Sequence, residues 1–131
     1  MIVRIASIVL RVCGGLAVIL GLLFWSRNAL NLIPFHMLLG ILVVLSLWIV
    51  GIGQAFTRGG SWPLAGGALL LGLLVIFVGI RQSSLLVGPF HWVIQVVHLL
   101  LGMLAIGVGQ MAAARWRKSG AIGEGQPSSA A

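Results

Sequence analysis

The sequence predicts an all-α polytopic membrane protein, an antiparallel four-helix transmembrane bundle, and three observations carry that prediction. Hydrophobic residues make up 60% of the 131 positions and charged residues only 7%, with a mean hydropathy of +1.20; a small water-facing globule cannot enclose that much apolar side chain. The apolar residues fall into four long runs, each meeting the requirement of about 20 residues to cross roughly 30 Å of hydrocarbon. Runs this uniform lack the alternation of a membrane barrel, and in lipid only helices satisfy their backbone groups within one segment.

The first span, about Ile5 to Trp25, follows a basic start and contains Arg11 and Cys13. Arg11 interrupts the apolar run and no small-x-small cleavage motif follows Trp25, so the segment reads as an uncleaved helix. Cys13 is the only cysteine, which excludes an intrachain disulfide and a thiol-metal cluster and leaves a small, buried apolar residue. The second span, about Pro34 to Phe56, opens on Pro34-Phe35-His36 and closes on Gly51-Ile52-Gly53-Gln54. The third runs from about Trp62 to Ile80. The fourth, about Pro89 to Ala112, opens on Pro89-Phe90-His91 and closes on Gly107-Val108-Gly109-Gln110. Connections of 5 to 8 residues between these spans make neighbours antiparallel. Residues 115–131 read as a cytoplasmic basic segment, Arg115-Trp116-Arg117-Lys118, and then a flexible Gly/Ser/Pro/Ala tail.

The matching words at the ends of the even-numbered spans suggest a 2+2 parallel internal repeat, with halves 1–58 and 59–114 and a pseudo-axis along the membrane normal. The copies differ by one residue, since His36 to Gly51 spans fifteen positions and His91 to Gly107 sixteen. Small residues also recur every seven positions: Ser7, Gly14 and Gly21; Gly72 and Gly79; Gly102 and Gly109. Such rows let helix backbones approach closely where lipid supplies no hydrophobic drive for association.

The net charge of +7 comes from basic residues scattered over helix ends, which excludes the continuous stripe of a nucleic-acid partner. It acts as a topology signal. Arg4, Arg11, Arg58, Arg115, Arg117 and Lys118 fall on one side, against Arg27 and Arg81 on the other, so the expected location is the cytoplasmic (inner) membrane with both termini cytoplasmic. Trp25, Trp62, Trp92 and Trp116 stand near span ends, where indoles prefer the interface, and Trp48 is in mid-span.

His36, His91 and His98 lie within or at the edge of spans, where ionisable groups are costly and mark function. His91, Gln95 and His98 share one face of the fourth span at i, i+4 and i+7, and Gly102 continues it. Aligning the Pro-Phe-His words equates His36 with His91 and sets His98 about two turns deeper. Aligning His36 and Gly40 with His98 and Gly102 equates His36 with His98 instead. Either pair of facing imidazoles could clamp a haem iron inside a bundle. No acidic residue lies within a span, which argues against a di-iron carboxylate or hard-cation site. Gln54 and Gln110 read as groups that hydrogen-bond between helices or to interfacial water, or as the polar end of a quinone site.

The words His36-Met-Leu-Leu-Gly40 and His98-Leu-Leu-Leu-Gly102, on alternate spans of a four-helix bundle, resemble the ligand helices of small b-type cytochromes and of the related haem A synthases. The resemblance implies haem b held by paired histidines from different helices, with His36 and either His91 or His98 as axial ligands. Gly40 and Gly102 would then admit the ring edge. Arg27 and Arg81, at the same end, are placed to neutralise propionates. Three histidines accommodate one bis-histidine haem with one left over, which departs from a two-haem wire. Arg11 has no acidic partner within the chain's spans, leaving a lipid phosphate, a partner subunit or a cofactor carboxylate.

The function these residues point to is a haem-binding electron-transfer or membrane-anchor subunit, with no bond-making catalysis implied. The alternative is a non-catalytic structural or assembly subunit of a larger membrane complex, in which polar residues join helices and no cofactor is needed. A small oligomeric transporter fits less well, because no span is broken at mid-membrane and no carboxylate is available for ion coupling. Each reading expects the lipid bilayer and a membrane-protein partner or a second copy as neighbours.

Overall fold

The computed structural model describes the backbone of residues 1–124 and the side chains of residues 1–120. Helix α1 spans Ile2–Trp25, α2 Ile33–Ala55, α3 Trp62–Arg81 and α4 His91–Glu124. Single 3-10 turns, Leu30–Leu32 and Gln82–Ser84, lead into α2 and out of α3. All four helices are long and apolar enough to cross a membrane, and the protein is an all-α, multi-pass membrane protein.

Local sequence sets the helix ends. Pro34 and Pro63 sit in the first turns of α2 and α3, where a missing N–H costs nothing. Ser61 caps α3, its hydroxyl accepting from the Leu64 N–H at 3.3 Å. Helix α4 starts at His91 instead of Pro89, because Gly88 adopts φ +100° and the His91 N–H donates to the Gly88 carbonyl at 3.1 Å, closing a turn through Pro89 and Phe90. At its other end α4 continues past the expected limit at Ala112. The segment Ala112-Ala113-Ala114-Arg115-Trp116-Arg117-Lys118 has no glycine or proline and is rich in good helix formers, so leaving the hydrocarbon does not end the helix. The last part of the expected flexible tail, residues 125–131, lies outside the described residues.

Helices α2 and α4 each pack against all three others, whereas α1 and α3 make no comparable contact with one another. The cross-section is therefore a diamond with α2 and α4 on its short diagonal. Leu10, Val43, Val44, Leu47, Ala68, Leu71, Val75 and Ala105 form the central core. A second cluster of Val3, Ala6, Val50, Ala112 and Ala113 closes the end that holds the N-terminus. Large apolar side chains such as Ile8, Ile19, Leu38, Leu70, Phe77 and Leu104 point outward, as expected of surfaces solvated by acyl chains.

The seven-residue rows of small residues mark most of the close approaches. A Cβ at Gly14 would lie 2.8 Å from Ile106, one at Gly72 2.8 Å from Val44 and against Trp48, and one at Gly109 would meet Leu10. Gly51, outside those rows, faces Ala68 at 2.8 Å and joins α2 to α3. These contacts substitute backbone proximity for a hydrophobic drive that lipid does not provide.

Candidate functional site

His36 stands one turn inside α2 and His98 two turns inside α4. Their rings face each other across the short diagonal, with centroids 6.2 Å apart and planes inclined at 62°. The two histidines are therefore level, in keeping with the alignment of His36-Gly40 on His98-Gly102. Helix α4 begins about one turn earlier along the bundle than α2, which brings His98 up to His36 and leaves His91 nearer the surface.

All four helices shape the pair. On α1, Gly21 passes close to His36, such that a Cβ there would lie 3.6 Å from Cε1. Phe24 packs edge-on against the same ring at 5.4 Å. On α3, Gly79 lies against His98, its hypothetical Cβ 3.1 Å from Cε1. Both Nδ1 atoms are shut off from solvent and lack a well-aligned hydrogen-bond partner, although the Ala17 carbonyl of α1 lies beside the His36 ring. A buried polar atom without a partner costs free energy, and hydrocarbon offers no water to relieve it. One turn further along, Gly40 and Gly102 have nothing within 4 Å of the position a Cβ would occupy, so the helix faces beside the pair are open.

His91 does not join this pair. Its Nδ1 lies 3.4 Å from the Leu85 carbonyl oxygen, tying the start of α4 to the preceding connection. Gln95 is half-buried on α4 between the two histidines. Arg27, in the α1–α2 connection with a positive φ of 59°, and Arg81, the last residue of α3, are exposed at this end of the bundle.

The glutamines at the opposite end differ from each other. Gln54 is fully buried; its Nε2 donates to the carbonyls of Gly51 at 3.0 Å and Ser61 at 2.7 Å, while its Oε1 accepts from the Ser61 N–H at 3.1 Å. Both amide hydrogens are engaged, and the side chain fastens the α2–α3 connection. Gln110 accepts from Arg11 Nε at 2.6 Å, linking α4 to α1, while its own Nε2 is buried without a partner. Cys13 is half-buried against the central core.

No group of three or more His, Cys, Asp or Glu side chains that could hold a metal ion occurs among the described residues. The histidine site consequently offers two imidazoles and no thiolate or carboxylate cluster. A metal held there by two side chains would have to bring its remaining ligands with it, as a porphyrin-bound iron does. The two rings meet edge-on, at a centroid separation of 6.2 Å and an inclination of 62°, within the range of aromatic pairs in direct contact.

Sequence reasoning singled out all three histidines, Gly40 and Gly102 but gave Gly21 and Gly79 no role beyond helix packing. Their seven-residue rows were visible, yet nothing in a row says that the neighbour is an imidazole. Comparison with known proteins adds no assignment: no family model, curated protein or solved structure matches this chain.

Proposed function

We propose that this protein binds one b-type haem between α2 and α4, which His36 and His98 would hold, and serves as an electron-transfer or membrane-anchor subunit. The observation that carries the reading is the facing pair of imidazoles with unpartnered, buried Nδ1 atoms. The open faces at Gly40 and Gly102 support it, because a flat macrocycle needs side-chain-free surface next to its ligands. Bound there, haem would supply one-electron redox chemistry. The chain's own part is to orient and shield. Gly21 and Gly79 let the flanking backbones hold each ring in place, Phe24 blocks the side of His36, and Arg27 and Arg81 neutralise propionates.

The test is a dithionite-reduced minus oxidised spectrum and a pyridine haemochrome assay on protein made with adequate haem supply. One b-type haem per chain is expected, lost in His36→Ala and His98→Ala and retained in His91→Ala. Colourless protein, or haem that depends on His91 and not on His98, would overturn the assignment.

A further inference from the structure

The other end of the bundle holds an open cavity of about 670 Å³, bordered by the start of α1, the α2–α3 connection and the stretch of α4 beyond its apolar run. Arg4, Arg58 and Arg117 line it, with Trp116 beside them. The hydroxyls in its wall are already engaged: Ser7 donates to the Arg4 carbonyl, Thr57 to that of Gln54 and Ser119 to that of Trp116. The side-chain donors left for a ligand are the three guanidinium groups and the Trp116 indole N–H, and the guanidinium groups favour a phosphate or another oxyanion.

All three arginines are exposed and free to take an anion from outside the chain. The sequence has eight Lys and Arg residues against one acidic residue, Glu124, so the protein cannot neutralise this cluster itself. Position decides which anion is at hand. Trp116 packs against the apolar cluster around Val3, Ala6 and Ala113, and such an indole marks the headgroup level of a bilayer. A basic pocket between transmembrane helices at that level fits an anionic lipid headgroup.

We propose that this cavity holds the phosphate-bearing headgroup of an anionic glycerophospholipid, gripped by Arg4, Arg58 and Arg117. The acyl chains would extend along the apolar outer faces of the helices. The full chain in mild detergent is titrated with phosphatidylglycerol or phosphatidylcholine and the bound lipid read by native mass spectrometry. Phosphatidylglycerol should be retained in preference to phosphatidylcholine. Each arginine removed should weaken phosphatidylglycerol by roughly fivefold. The double variant R4Q/R117Q should therefore lose about 25-fold, and R115Q/K118Q, which removes equal charge from the same end outside the cavity, less than about twofold. R58Q provides a milder single change, and circular dichroism checks that each variant is folded. Equal retention of the two lipids, or equal weakening by the two double variants, would reduce the site to diffuse surface charge and overturn the proposal. Displacement of the lipid by millimolar inorganic phosphate would overturn it in favour of a soluble anion.

Discussion

Gln54 and the His36–His98 pair are polar groups enclosed in the same apolar bundle, and their hydrogen bonding is opposite. The Gln54 side chain makes three hydrogen bonds, one to the Gly51 carbonyl within α2 and two to Ser61 at the end of the α2–α3 connection. The two imidazoles each leave a buried Nδ1 without a partner. In a solvent without water, a saturated polar group fastens the fold and an unsaturated one is a candidate for a ligand. Trp48 sharpens the distinction, because its Nε1 is also buried and unpartnered but packs directly against Gly72 with no room beside it. An orphaned atom together with open space, as at Gly40 and Gly102, is what separates the histidine site from a packing defect.

The largest effect that would test this contrast is loss of haem without loss of fold. Gly40→Leu and Gly102→Leu fill the open faces and should abolish haem content in the pyridine haemochrome assay. Because a side chain there meets nothing, stability should change by no more than about 0.5 kcal/mol. Haem retained at full content in both variants would show that the open faces do not serve the site. Gly72→Leu should do the reverse at a closed position, costing about 3 kcal/mol through overpacking against Trp48 and Val44, whereas Gly66→Leu, facing open space, should be tolerated in the same unfolding titration in mixed micelles. Gln54→Leu should cost about 2 kcal/mol, since it strands the part-buried Ser61 N–H and removes the bonds to the Gly51 and Ser61 carbonyls, and should leave haem content unchanged. The smallest effect is expected at the other glutamine. Removing its single bond with Arg11→Met should destabilise by about 0.6 kcal/mol in the same titration, the size of an average interhelical hydrogen bond in a membrane.

Near-identical words in the sequence acquire different roles in the structure. Pro-Phe-His opens both even-numbered runs, yet His36 faces another helix while His91 turns back to Leu85. Gly-x-Gly-Gln closes both, yet Gln54 seals a tight turn while Gln110 takes a bond from Arg11. The α2–α3 connection comes directly after Gln54 and can fold back onto it, but α4 continues as helix past Gln110, so no loop returns to occupy that amide. A short matching word is silent about the chain on its C-terminal side, and that chain supplies the partners of Gln54.

The solvent, the class and the count of helices were legible in the linear pattern. They depend on the length and polarity of contiguous runs, and they agree with the four helices observed. The residues of the histidine site were legible too, because an ionisable side chain in an apolar run is conspicuous. Which histidine meets His36, and that Gly21 and Gly79 stand behind the rings, emerged from the packing of the helices alone. Helical periodicity places a residue on a face of its own helix, but the level at which two helices meet is set by the connection between them and by the close contacts that lock their packing. Here an offset of about one turn between the starts of α2 and α4 sets His98 level with His36 and leaves His91 about two turns away.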